Sequence, residues 1–461
     1  MTERADVVVI GMGPGGEHLA GELAADGLDV VGIEANLVGG ECPYYGCIPT
    51  KMMIRAADAL AEARRVNEVA GQAEAHPDLS PVATRIRDEA TTDWDDAIAA
   101  DRFVSQGGRL VRGHGRLLAP RTVQVGDEQI HARRAVVLNT GTAPAIPPIP
   151  GLEDVPYWTN RDAVRATSAP ESMVVLGGGP IGVELAQAFA RFGSQVTVVE
   201  MADRLLPGED PAASEVLAEV FAAEGIEVLT GDGAASVRSD GHGITVVVGE
   251  RELQAERLLV AAGRDLGLAR LGLDALGVDA SGRSVEVDEF CRVVGADGET
   301  LEALYAIGDM TGKGAFTHVS MYQAEVALAH LRGQETEAAE YHAVPRVAFT
   351  DPEIGAVGLT AAQAREQGIP VRSTSVPVAQ SSRGFIHGPG NDGVISLLAH
   401  AESGMLLGAT SAGPRGGEVL GLLTVAVAQR LSVHALSRMI YAFPTFHRAV
   451  LDAAQQWLAD E

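Results

Sequence analysis

The stretch DVVVIGMGPGGEHLAGELAADGLDVVGIEA, Asp6 to Ala35, reads as strand, glycine turn, helix and strand. Val7 to Ile10 form an uninterrupted apolar run, which suits a parallel strand covered on both faces. Gly11, Gly13 and Gly16 then fill a G-x-G-x-x-G frame. The first permits a tight turn, the second lets backbone approach a pyrophosphate, and the third lets helix pack on strand. Gly27 is placed to end an Ala- and Leu-rich helix. A second strand closes at Glu34, where a carboxylate accepts from a ribose hydroxyl. The pattern predicts a dinucleotide fold with the pyrophosphate on the helix N-terminus.

The same order returns in SMVVLGGGPIGVELAQAFARFGSQVTVVEM, Ser172 to Met201. Gly177, Gly179 and Gly182 repeat the glycine frame, and Glu200 follows Gly177 by 23 residues, as Glu34 follows Gly11. Leu185, Phe189 and Phe192 fall at helical spacing on one face. One G-x-G-x-x-G is a weak signal; two copies, each framed by strand and helix and closed by an acid, predict two bound dinucleotides.

Length and composition bound the rest. The 461 residues, at roughly 150 per domain, suggest about three domains. With 46% apolar and 21% charged residues the chain has material for buried cores, so general disorder is excluded. The formal charge of −27 repels phosphate backbones and anionic lipid, which argues against nucleic acid and membrane as partners. No run reaches the ~20 apolar residues of a membrane span, and the N-terminus lacks a signal-peptide layout. Three cysteines, Cys42, Cys47 and Cys291, are too few for a secreted disulphide scaffold. A cytoplasmic protein with one working thiol pair is expected. The 54 glycines, against only 4% aromatics, call for many close backbone approaches.

That thiol pair lies in LVGGECPYYGCIPTK, Leu37 to Lys51. Two buried thiols, or half of a zinc site, are the plainer readings, but zinc takes about four ligands and no second cluster has suitable spacing. Residues five apart in a regular helix rise about 7.5 Å, beyond the roughly 7 Å Cα limit of a bridge. Cys42 is therefore expected off the helix and Cys47 at its start, with Gly46 permitting the bend. A helix N-terminus favours the thiolate, which suits cycling rather than stapling.

Along essentially its whole length the chain resembles the FAD-dependent pyridine nucleotide–disulphide oxidoreductases, a family that includes dihydrolipoamide dehydrogenase, glutathione reductase and mercuric reductase. GGECPYYGCIPTK is similar to the family's active-site signature. Further matches are LNTGTAPAIPPIPG (Leu138 to Gly151), VAAGR (Val260 to Arg264), YAIGDM (Tyr305 to Met310) and FTDPEIGAVGLT (Phe349 to Thr360). The resemblance implies that Gly11, Gly13, Gly16, Glu34, Gly115, Gly141 and Asp309 hold FAD. It implies that Gly177, Gly179, Gly182, Glu200 and Gly263 hold the nicotinamide cofactor. Lys51 would reach the flavin ring and pair with Glu184, Cys47 would be the charge-transfer thiolate, and Cys42 the interchange thiol. Glu200 stands where a 2′-phosphate would lie and would repel it, so NAD(H) is expected over NADPH. Arg204 nearby either weakens that preference or pairs on the surface with Asp203 or Glu209.

The family pattern fails near the C-terminus. Thiol-reducing relatives carry His-Pro-Thr-x-x-Glu, whose His is the acid/base supplied across a dimer interface. Here the stretch is AFPTFHRAV, which puts Phe443 at the His position and Arg448 at the Glu position. His447 and Asp452 repeat the spacing of the missing pair four residues on; the alternative is that Arg448 and Asp452 form an i,i+4 pair while His447 packs at a helix start. Tyr44 and Tyr45 either line an acceptor pocket or pack on the flavin helix. His318 matches a position near the flavin, Cys291 reads as core in a strand-like stretch, and the acidic helical region from Arg64 to Asp101 reads as solvated surface.

The expected fold is α/β: two Rossmann-like dinucleotide-binding domains plus an α+β C-terminal dimerisation domain. The FAD-binding domain is discontinuous, 1–150 and 276–344; the NAD(H)-binding domain is 151–275, and 345–461 is the interface domain of a homodimer. The expected activity is that of an NADH-dependent flavoprotein reductase with a redox-active Cys42–Cys47 disulphide and no bound structural metal. Its acceptor would be a small molecule or metal ion such as Hg(II) or Cu(II), or a quinone. A dihydrolipoamide dehydrogenase using His447 and Asp452, and a redox-sensing flavoprotein with little turnover, are the alternatives.

Overall fold

The computed structural model describes residues 2–241 and 243–460. In it the first repeat is built around the strand Thr2–Ile10, which pairs in parallel with Val30–Glu34 on one edge and Glu128–Leu138 on the other. Val7 to Ile10 are all buried, because a central strand covered on both faces has no side left for polar residues. Pro14 opens the helix Pro14–Ala25, where its missing N–H is not needed. Gly27, at φ 84°, closes the turn after it with its N–H on the Ala24 carbonyl. Among the described residues the sheet runs Arg292–Val294, Thr300–Ala306, Glu128–Leu138, Thr2–Ile10, Val30–Glu34, Arg109–Arg112. Thr300–Ala306 thus returns from far along the chain to pair in parallel with Glu128–Leu138.

The second repeat copies the first. Ser172–Leu176 lies between Gln195–Glu200 and Arg257–Val260, all parallel, with Glu227–Thr230 beyond. Leu185 and Phe189 of the helix Pro180–Arg191, and Phe192 just after it, are buried, as their spacing requires. The C-terminal part is an antiparallel sheet in the order Pro345–Ala348, Glu353–Gly358, Leu406–Gly413, Val394–His400, Val371–Pro377. The helices Gly416–Ala428 and Arg448–Ala459 share its core, which holds the fully buried Trp457. The Trp457 indole N–H donates to the Arg372 carbonyl at 3.1 Å.

The chain resolves into two compact units. One comprises the chain to Pro49, Arg85–Ala143 and Arg264–Tyr341; the other comprises Thr50–Thr84, Pro144–Gly263 and the chain from His342 on. Inside the second unit the helix Pro180–Arg191 ends on a guanidinium only 2% exposed. Arg191 donates to Asp58 at 2.6 Å, to both Glu224 oxygens at 2.6 and 3.0 Å, and to Asp351 at 2.8 Å. Arg65 donates to the same Asp351 oxygen at 2.7 Å. Burial this complete is tolerable for a charged guanidinium because carboxylates meet all three of its nitrogens. Burial pushes the Asp351 carboxyl up, but Arg191 and Arg65 outweigh it and hold it below the usual range. For Asp58 burial wins over Arg191, and its pKa is pushed up to about 6.

Removing one partner of such a cluster leaves the others buried and uncompensated. Arg191→Met is therefore expected to destabilise the protein by about 3–5 kcal/mol, read as a lowered midpoint of urea denaturation. The pH response has a defined sign. Asp58 binds its proton more readily folded than unfolded, so its contribution to stability rises as pH falls from about 6 toward 4. Asp351 acts oppositely and loses its contribution only below the usual carboxylate range. Asp58→Asn should flatten the denaturation midpoint across pH 4 to 6; an unchanged profile there would reject the assignment.

Candidate active site

The two glycine turns are fastened by their acids in the same way. The Glu34 carboxylate accepts the Met12 and Asn36 N–H groups, each at 2.7 Å. Glu200 accepts the Gly178 N–H at 2.6 Å and the Ala202 N–H at 2.7 Å. Burial raises the Glu34 pKa, although the N–H bonds from Asn36 and Met12 work against it.

The space around the glycines separates their roles. Gly11 and Gly177 sit at φ 94° and 113°, and a Cβ on either would collide with the carbonyl of Asn139 or Ala261. A Cβ on Gly16 or Gly182 would strike the carbonyl of Gly11 or Gly177, which is the close helix approach the frame requires. The middle glycines differ: a Cβ on Gly179 would meet nothing within 4 Å, and one on Gly13 only the Asn139 amide nitrogen at 3.3 Å. Protein thus fills the space behind the first and third glycines and leaves the middle one open, where a pyrophosphate would come. The residues fit a dinucleotide at both turns.

Other expected contacts are placed as follows. Gly115 begins the strand Gly115–Ala119, and a Cβ there would come 2.9 Å from Ile10. Gly141 lies at φ 59° with open space beside it, and Gly263 at φ 131° gives its carbonyl to the Ala145 N–H at 3.0 Å. Asp309 accepts the Thr142 hydroxyl at 2.9 Å, and Thr142 accepts from Arg264 Nε at 2.9 Å. Thr142 and Arg264 were not picked out by sequence reading, although both lie in matched segments. Asn139 was also missed: its amide donates to the Gly11 carbonyl at 3.2 Å and its oxygen accepts from Ser320 at 3.2 Å.

The cysteine loop has a specific backbone cause. Tyr45 and Gly46 both give their N–H to the Glu41 carbonyl, at 2.8 and 2.7 Å. A Cβ on Gly46 would lie 3.2 Å from that oxygen and 3.6 Å from Cys42 Cα, so a side chain there would crowd the turn and require a small shift of the Glu41 carbonyl. Cys47 begins the helix Cys47–Val69, and Cys42 sits in a short helical turn of its own, Glu41–Tyr44. Cys42 thus lies off the helix that Cys47 begins, as expected, and its separate turn lets the intervening residues double back where one helix would separate them. Cys47 is exposed and Cys42 half-buried. Thr317 Oγ1, at the start of the helix Thr317–Leu331, lies 3.6 Å from Cys47 Sγ, and the Phe316 and His318 rings beside it stack at 5.1 Å. In the second unit Lys51 Nζ donates to Glu184 at 2.7 Å, and the other Glu184 oxygen accepts the Phe349 N–H at 2.8 Å.

Several open readings resolve. Arg448 donates to Asp452 at 3.0 Å, so the carboxylate of the shifted dyad is engaged by arginine. Phe443 is 68% exposed. Arg204 pairs with Asp203 at 3.1 Å and donates to the Pro207 carbonyl at 2.7 Å. Its other expected partner, Glu209, instead takes Arg346 at 2.7 and 2.9 Å, because a second guanidinium approaches from the antiparallel sheet. Burial pushes the Cys291 thiol up to about 12, so it is core, though it occupies a positive-φ turn rather than a strand. The acidic stretch is not all solvated. Asp96 is buried, and though burial raises its pKa, Arg112 and the Val38 N–H more than reverse that. Tyr44 is buried, and burial together with the Asp96 charge raises its pKa. Among the described residues, no group of three or more His, Cys, Asp or Glu is arranged to hold a metal ion, and no helix is long and apolar enough to cross a membrane.

A family model described as pyridine nucleotide-disulphide oxidoreductase matches residues 5–329, and one described as that family's dimerisation domain matches 344–454. A dihydrolipoyl dehydrogenase of Haloferax volcanii is 33% identical over 98% of this chain and 96% of its own. A mercuric reductase of Acidithiobacillus ferrooxidans is 32% identical over 98% of this chain and 83% of its own. The solved Cu(II) complex of the HOCl-induced flavoprotein disulfide reductase RclA from Escherichia coli is 25% identical, with a TM-score of 0.84 over 99% of this chain and 100% of that one.

The unequal space at the glycines predicts unequal mutants. Gly179→Ala should leave the melting temperature unchanged and weaken NADH binding at least about tenfold, measured by calorimetry. Gly177→Ala should instead destabilise the fold, since its φ and the Ala261 carbonyl both exclude a side chain. Unweakened NADH binding by Gly179→Ala would show that no dinucleotide crosses that loop.

Proposed function

The chain belongs to the pyridine nucleotide-disulphide oxidoreductase family, and we propose that within it this protein is an NADH-dependent reductase whose acceptor is not a dithiol. It is an oxidoreductase, and members of the family use FAD and NAD(P)H. The proposed acceptor is a soft metal ion or a quinone. The observation that carries this reading is Phe443, an exposed side chain that holds no proton, at the position where thiol-reducing relatives keep a histidine. The engagement of Asp452 by Arg448 supports it, since a dyad through His447 would need that carboxylate. A metal acceptor agrees with the names of two similar proteins, a mercuric reductase and a reductase solved with Cu(II).

The roles follow from chemistry. Gly11, Gly13, Gly16, Glu34, Gly115, Gly141 and Asp309 would hold FAD, within a domain formed by 1–150 and 276–344. Gly177, Gly179, Gly182, Glu200 and Gly263, in 151–275, would hold NADH. The Glu200 charge disfavours a 2′-phosphate, and the commitment of Arg204 to Asp203 and Pro207 leaves that preference standing. Bound FAD supplies the two-electron exchange between nicotinamide and thiols. The helix start at Cys47 favours its thiolate, and the Thr317 hydroxyl is near enough to hold that charge. The Glu184 carboxylate fixes Lys51 by one ion pair, so the ammonium keeps a single direction. Cys42 and Cys47 together offer two sulphur ligands to a soft ion. Residues 345–461 would form the interface of a homodimer.

Steady-state NADH oxidation with Hg(II), Cu(II), quinones, lipoamide and glutathione disulphide tests the reading. Metal or quinone turnover should exceed disulphide turnover by at least about tenfold, and His447→Ala should leave it unaltered. Cys42→Ser and Cys47→Ser should each abolish metal reduction. Efficient lipoamide reduction that disappears in His447→Ala would sink the proposal.

A further inference from the structure

Ile86 to Asp96, in the first unit, is a distorted stretch that no role assigned so far explains. Ile86–Ala90 form a single π-turn. Thr92, Asp93 and Trp94 follow at φ 51°, 56° and 57°, three consecutive non-glycine residues in the left-handed region. Each such residue costs roughly 1–2 kcal/mol, so contacts hold this turn against its own preference. The Thr91 hydroxyl, fully buried, donates to the Ile86 and Arg87 carbonyls at 3.0 and 3.3 Å, and the Asp93 N–H meets the Arg87 carbonyl at 2.6 Å. Distortion of this kind, over-determined by its surroundings, points to something the backbone must deliver.

What it delivers is a grip on the cysteine loop at both ends. The Trp94 indole N–H donates to the Tyr44 carbonyl at 3.0 Å, in the short helical turn that carries Cys42. Two residues further on, the buried Asp96 carboxylate accepts the Val38 N–H at 2.6 Å, where the loop begins. Arg112 holds Asp96 in place with two N–H bonds, at 2.6 and 2.8 Å, and also donates to the Asn36 carbonyl at 3.0 Å. Between the anchored ends lie Gly39 and Gly40, at φ 103° and 69°, and then Cys42. Without anchors, glycines there would let the loop move.

We propose that the left-handed turn Thr92–Trp94 is a positioning device that keeps the reduced Cys42 thiol within bonding reach of Cys47. Trp94 and Asp96 are positioning residues; the chemistry stays with the sulphurs. The inference rests on the reading of Cys42 and Cys47 as a redox pair. When a disulphide reagent oxidises the pair, one S–S bond forms in the protein and one breaks in the reagent. The two thiol protons end on the reagent's sulphurs, so atoms and electrons balance. Holding the loop raises the effective concentration of one thiol at the other, which favours the disulphide.

The test equilibrates the FAD-loaded protein with graded mixtures of reduced and oxidised dithiothreitol and counts alkylated Cys42 and Cys47 by mass spectrometry. Trp94→Phe keeps most of the ring and removes the N–H. It should move the equilibrium about tenfold toward the dithiol, which is about 30 mV less negative. Amide exchange of the peptide spanning residues 41–46 should quicken in the same variant. Trp158→Phe, in the other unit, is the control and should match wild type in both readouts. A Trp94→Phe protein within twofold of wild type, with unchanged exchange, would overturn the proposal. So would a lowered melting temperature with the thiol equilibrium unmoved, the signature of ordinary packing. Wild-type protein that forms no Cys42–Cys47 disulphide in any mixture would remove the redox-pair reading itself, and this inference with it.

Discussion

The carboxylate of Glu34 takes the backbone N–H groups of Met12 and Asn36, and that of Glu200 takes those of Gly178 and Ala202, so each acid ties the end of its strand to the glycine turn before it. Glycine turns have more conformational freedom to lose on folding than any other backbone. Hydrogen bonds to a charged group contribute about 1.5–3 kcal/mol each, enough to offset a good part of that loss. The turn then fixes the first residues of the following helix, and those residues decide where an anion is received. A carboxylate has about four lone-pair positions; two serve the fold here, and the others are left to a ribose. The acid serves structure and ligand at once.

The thiol loop inherits this placement. A Cβ on Gly40 would lie 2.9 Å from Gly13 Cα, so the loop that leads to Cys42 is laid directly on the first glycine turn. Asn139 joins the same turn to the helix Thr317–Leu331, whose first hydroxyl faces Cys47. Acid, turn, loop and thiol therefore form one succession of contacts within the first unit, and an error at Glu34 would propagate to the sulphurs.

The sequence discloses what is local and conceals what is not. The buried run Val7 to Ile10, the helix stop at Gly27, the face carrying Leu185 and Phe189, and both strand-ending acids could be read because each depends on neighbours a few residues away. Cys47 at a helix start followed from bridge geometry alone. Asn139, Thr142 and Arg264 escaped notice because their partners lie 128, 167 and 122 residues distant. Asp96 looked like surface for the same reason: its partners, Val38 in a turn and Arg112 on the sheet's edge strand, lie 58 and 16 residues away. The left-handed turn at Thr92 to Trp94 left no trace at all, since none of its residues is a glycine. Arg204 was half readable; its neighbour Asp203 is adjacent in sequence, while the claim of Arg346 on Glu209 is not.

The charges gathered around Arg191 have a consequence for heat. Taking ions out of water is most costly when water solvates them best, and their hydration weakens as temperature rises. The penalty of burying Arg191 among Asp58, Glu224 and Asp351 therefore shrinks on warming, while the stabilisation from apolar burial levels off. The ionic centre of the second unit therefore becomes relatively stronger in hot solution.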